Sequence, residues 1–76
     1  MSEPVPTYDI ELSPVARQLR IAYLHDIDLR AGEGLTRGDR VILRDEGLAL
    51  WDAEVLTREV VRLGHKYRLH ISPRSG

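Results

Sequence analysis

The sequence predicts an all-β or mostly β chain, a small antiparallel barrel with an N-terminal strand or hairpin extension. Apolar and polar residues alternate at period two in several short stretches, the pattern of strands with one buried face. Turn signals separate these stretches about every 8–12 residues, as in small sandwiches and barrels. With 76 residues, the chain buries only roughly 60–65% of its unfolded surface, which allows one core and no large internal active-site cavity.

Residues 1–7, with Pro4 and Pro6, read as a flexible leader, residues 8–71 as the domain and residues 72–76 as a loose tail. Tyr8, Ile10 and Leu12 alternate with Asp9 and Glu11, so the domain opens on a half-buried strand. SPVARQLRIAYL then has two readings. Ser13 suits a helix N-cap and Pro14 the first helical position, with Val15 and Leu19 on one side. Equally, a turn leads into a strand with Leu19, Ile21 and Tyr23 inward and Gln18 and Arg20 outward. The strand is preferred, because Ile21 to Leu24 would wrap a helix in apolar side chains all round. His25 onward continues as a strand edge and then a loop around Gly32 and Gly34.

The second half is more regular. A turn at Arg37-Gly38-Asp39 leads to Val41 and Leu43 on one face, with Arg40, Ile42 and Arg44 on the other. A second turn at Asp45-Glu46-Gly47, whose acids read as exposed, precedes a strand in which Trp51, Ala53 and Val55 oppose Asp52 and Glu54. Strict alternation fails between Thr57 and Leu63, which predicts a bend or bulge. Gly64-His65 signals the last turn, after which Tyr67, Leu69 and Ile71 oppose Lys66, Arg68 and His70.

The stretch GDRVILRDEGLALWDAEVLTREVVRLGHKYRLHI resembles the SH3-like small barrels, including Tudor-like and short bacterial SH3-like families. Gly38-Asp39, Val41, Trp51-x-Ala53-x-Val55 and Tyr67-x-Leu69-x-Ile71 carry the likeness over about residues 35–71. It implies a fold, and no activity transfers with it. A cage for methylated side chains needs several aromatic faces, and its residues are not evident. A second likeness sits at the two ends: YDIELSPVARQLR, GDRVIL and VVRLGHKYR resemble parts of RelE/ParE-type toxins. That resemblance implies Arg40 and Lys66 as phosphate-stabilising cations with Tyr67 nearby, although too little chain lies between Leu24 and Leu35 for the toxins' helical hairpin.

The chain has no cysteine, which excludes disulfides, Cys-ligated zinc and Cys nucleophiles and fits a reducing cytoplasm. No apolar run approaches the roughly 20 residues of a membrane helix. The formal charge of −1 hides an asymmetry: residues 1–57 carry eleven acids and six bases, whereas residues 58–76 carry five bases and one acid. Arg58, Arg62, Lys66, Arg68 and His70 therefore form a candidate binding stripe, for which a phosphate backbone is one ligand. The alternative is a solvated face matched by acids such as Asp52 and Glu54 across the sheet. Trp51 and Tyr67 are candidate aromatic recognition residues, with a core role preferred for Trp51 because it shares a face with Ala53 and Val55.

His25, Asp26, Asp28, His65 and His70 have ligand-type side chains but no metal-binding spacing, so neither metal nor cofactor is expected. No serine stands in a nucleophile motif, and Gly32-Glu33-Gly34 lacks the context of a phosphate loop. The leading expectation is a non-enzymatic interaction module or accessory subunit that binds a protein partner or itself, with no small-molecule substrate. Nucleic-acid binding through the C-terminal basic strand is the alternative, and a truncated RelE-like ribonuclease the third.

Overall fold

A computed structural model of the chain describes residues 5–29 and 33–74. Residues 1–4 of the expected leader, the centre of the expected glycine loop at residues 30–32 and the last two residues lie outside the described part, whereas Thr7, also expected in the leader, pairs with Ile42. One sheet of five strands curls into a half-barrel. In chain order its parts are β1 (Thr7–Asp9), helix α1 (Pro14–Leu19), β2 (Ile21–His25), a 3₁₀ turn η1 (Asp26–Asp28), β3 (Arg40–Arg44), β4 (Leu50–Val61) and β5 (Gly64–Pro73). The spatial order is β1-β3-β4-β5-β2. No helix among the described residues is long and apolar enough to cross a membrane.

The three long strands follow the predicted faces. Val41, Leu43, Trp51, Ala53, Val55, Tyr67, Leu69 and Ile71 are all buried, and each pairs with another residue of the set or with a neighbour on the same face. β3 and β4 form a hairpin with Leu43 opposite Trp51. The expected irregularity is a bulge: the β4–β5 register shifts between Val55 and Thr57. The extra residue reverses the inward and outward assignment of everything beyond it, which is why alternation fails there. β5 continues past Ile71, so Ser72 and Pro73, expected in a loose tail, pair with Asp52 and Trp51.

β1 departs from an all-antiparallel arrangement. It lies parallel to β3, with Tyr8 beside Leu43. The Ile42 amide donates to the Pro6 carbonyl and the Ile10 amide to the Arg44 carbonyl, both at 2.9 Å. A parallel pair needs a crossover of a dozen or more residues, which the chain supplies by sending α1, β2 and η1 between the two strands.

The segment with two readings contains both structures in succession. Ser13 caps α1 by accepting from the Ala16 amide at 3.1 Å, and Pro14 occupies the first turn. Arg20 ends the helix in the left-handed region at φ 60. That turn resets the phase of the chain. Ala22 and Leu24 are buried and Tyr23 is exposed, the reverse of the predicted strand. The cause is register: Ala22 faces Leu69 and Leu24 faces Tyr67, and directly paired residues share a face. The larger side chains at 21 and 23 suggested the wrong side because an alternation of two apolar sets contains no polar marker.

Candidate interaction surface

β2 is the last strand of the sheet, and among the described residues no strand pairs with its far edge. The Ile71 amide donates to the Arg20 carbonyl at 2.9 Å. In an antiparallel ladder, bonded and non-bonded pairs alternate. Arg20, Ala22 and Leu24 therefore bond toward β5, while the backbone groups of Ile21, Tyr23 and His25 point outward. The His25 amide confirms this direction by donating to Asp28 Oδ2 at 2.9 Å. β2 itself carries no Pro, Lys or acid, the residues that commonly blunt an exposed edge.

A groove of about 430 Å³ runs beside this edge. Ile10, Leu12 and Ala16 line it from the β1–α1 side, Ile21 and Tyr23 from β2, and Arg68 from β5. Along it the surface is apolar: Val15 is 61% exposed, Leu19 65% and Tyr23 46%. α1 explains the first two, since it has no fully buried residue and touches the core through Ala16, and Tyr23 lies on the outer face of β2.

The opposite edge of the sheet is defended. β1 is only three residues long, and the Asp9 carboxylate accepts from Arg44 Nε at 2.6 Å and Nη2 at 3.1 Å. The guanidinium holds the Asp9 carboxyl below its ordinary value, and the pair places charge along that rim.

The predicted basic residues divide. Lys66, Arg68 and His70 share the outer face of β5, as expected. His70 lies opposite Glu54, which also faces Arg40 across β3, and Lys66 lies opposite Glu59. Lys66 Nζ additionally stands 4.6 Å from the centroid of the Tyr23 ring. Arg62 belongs to the β4–β5 turn. Arg58, beyond the bulge, faces Tyr67 on the inner side and leaves the stripe. Asp52 pairs with Arg74 at 3.2 Å. Arg40 and Lys66, the cations implied by the toxin likeness, sit two strands and four residues apart, roughly 16 Å by strand geometry, and do not converge.

Both predicted recognition aromatics belong to the core, Tyr67 almost fully buried and Trp51 with 8% exposure. The exposed ring is Tyr23, which the alternation had placed inside. Two polar devices escaped the sequence reading, the first because its members are far apart in the chain. Asp26 Oδ2 lies 2.9 Å from His65 Nδ1, and Oδ1 accepts the Tyr67 hydroxyl. Tyr67 in turn accepts the Leu35 amide at 3.3 Å. The Tyr67 bond first, then His65, keeps the Asp26 carboxyl below its usual range, while burial pushes the Tyr67 phenol up. This cluster pins η1 and the Leu35 segment to β5, holding β2 where its free edge is presented.

The second device is Asp45. Predicted as an exposed turn acid, it is buried at 5% exposure and accepts the amides of Gly47 and Ala49, each at 2.9 Å. Arg17 of α1 reaches Asp45 at 3.4 Å and bonds Glu46, while Glu46 accepts the Leu12 amide at 3.1 Å. These contacts fasten α1, one wall of the groove, to the β3–β4 hairpin. Among the described residues no group of three or more metal-ligating side chains converges.

The site is thus an unpaired strand edge flanked by an apolar groove, on a small curled all-β sheet. Comparison with protein-family models, curated proteins and solved structures returns no match.

Proposed function

We propose that the protein is a small non-enzymatic interaction module of SH3-like type that binds an extended protein segment along the free edge of β2. The observation that carries this reading is the contrast between two edges of one sheet. β1 is only three residues long and carries an ion pair, whereas β2 offers outward backbone groups at Ile21 and Tyr23 beside the exposed Val15 and Leu19. Strand addition supplies main-chain hydrogen bonds, and an adjacent groove supplies side-chain selectivity. Acids interleaved at Glu54 and Glu59 support a protein ligand over a phosphate backbone.

Tyr23→Pro provides the test. Proline is tolerated on an edge strand where its missing amide faced solvent, so the variant should keep the fold while removing the outward donor. Tyr23→Lys, which keeps that amide but adds an edge charge, is the companion. Affinity capture from the native host should recover a partner with the wild type and lose it with both variants. A strictly monomeric wild type that recovers nothing, or a partner indifferent to both changes, would remove the reading.

A further inference from the structure

The chemistry of the bound segment follows from one cation. On the outer face of the sheet Arg40 faces Glu54, Arg44 bonds Asp9 and Lys66 faces Glu59. Arg68 is different: its neighbours across the sheet are Tyr23 on one side and Thr57 on the other. It forms no ion pair with any described residue. It also lines the groove, among side chains that are otherwise mostly apolar. Arg68 is exposed in the free chain; an apolar segment lying over it would exclude water from the guanidinium and so strengthen its attraction for a carboxylate.

Resting on the reading that β2 is a docking edge, we propose that the groove takes an extended, acidic-aliphatic peptide segment. An aliphatic side chain fills the space between Leu12, Ala16 and Ile21, and a carboxylate meets Arg68. The groove's other charged residue is Glu11, on the β1–α1 wall. It disfavours a second carboxylate on that side and so gives the segment a polarity across the groove. Backbone pairing at Tyr23 sets the register, and Arg68 sets the identity of one residue.

The experiment is a selection of short random peptides displayed on phage against the immobilised full chain, followed by anisotropy titration of the synthesised hits. Enriched peptides should share an aliphatic residue and an Asp or Glu at fixed spacing. Replacing that acid by its amide should weaken binding to the wild type about tenfold, the scale of one charge-assisted hydrogen bond, and should have little effect on Arg68→Gln. Arg68→Lys should restore part of the discrimination, and unchanged circular dichroism should show that both variants fold. Amide resonances of Ile21 and Tyr23 should shift on binding.

Hits without a shared acid, or acid discrimination that survives in Arg68→Gln, would overturn this assignment and leave the docking edge standing. Failure to enrich any peptide whose binding is lost in Tyr23→Pro would overturn both. A concentration-dependent dimer dissolved by Leu19→Asp would make a second copy the occupant and also overturn it, as would saturable RNA binding that depends on Arg68.

Discussion

The indole Nε1–H of Trp51 donates to Asp45 Oδ2 at 3.1 Å, across a separation of six residues. The ring fills the core while its polar edge satisfies a buried carboxylate. Trp51→Ala removes both and is expected to cost ~3–5 kcal/mol. Trp51→Phe keeps most of the ring but leaves Asp45 without one donor, and should cost ~1–2 kcal/mol. Urea unfolding of both variants checks the separation. A Trp51→Phe loss near zero would mean that the hydrogen bond contributes little, and equal losses that the ring does.

Four carboxyls are held below their ordinary values. Trp51 is the first cause at Asp45, the Tyr67 hydroxyl at Asp26, Arg44 at Asp9 and backbone amides, including that of Leu12, at Glu46. Each group binds its proton less readily folded than unfolded. Its contribution is fully present above the unfolded carboxyl values of about 4 and is lost as pH falls through the lower folded values. Tm should be flat from pH 7 to about 5 and fall below about pH 4. Asp45→Asn should lower Tm at neutral pH and make the acid decline shallower. A decline as steep as the wild type's would exclude Asp45 as a source.

Two backbone positions predict opposite signs. Gly64 sits at φ +125, and a Cβ there would lie 2.6 Å from Asp26 Oδ2. Gly64→Ala should destabilise by ~1–3 kcal/mol and loosen η1, visible as faster amide exchange around Leu29. Leu48 holds φ 68 at the tip of the β3–β4 hairpin with its side chain in solvent. Leu48→Gly should therefore stabilise by up to ~1 kcal/mol. Thermal denaturation of the pair reads both changes.

Nucleic acid offers a negative prediction. Because Glu59 and Glu54 stand opposite Lys66 and His70, labelled RNA and DNA should show no saturable binding at about 0.15 M salt. Tight binding that Lys66→Glu/Arg68→Glu abolishes would restore the basic strand as the functional surface.

The three long strands were legible because charged residues mark their outer faces: Arg40 and Arg44, Asp52 and Glu54, Lys66 and Arg68. β2 was not, since Ile21-Ala22-Tyr23-Leu24 places apolar side chains on both faces and only pairing with β5 distinguishes them. The candidate site suffered from the same ambiguity. Arg68 was visible as a basic residue, but its lack of an opposing acid depends on a register that no local pattern encodes. Asp26 and His65 are separated by 39 positions, so their contact exists only once η1 is folded back onto the β4–β5 hairpin.

The bulge after Val55 acts as a phase inverter. Counting on without the extra residue would bring Arg58 opposite Lys66, one cation against another; with it, Glu59 takes that place and Arg58 turns inward toward Tyr67. The distribution of charge over the outer face is thus fixed by the number of residues in β4 as much as by their kinds. Loss of one residue from this strand would scramble the electrostatic pattern of half the sheet while leaving composition nearly untouched. Compensated length changes, an insertion balanced by a deletion within the same strand, are the ones the architecture accommodates.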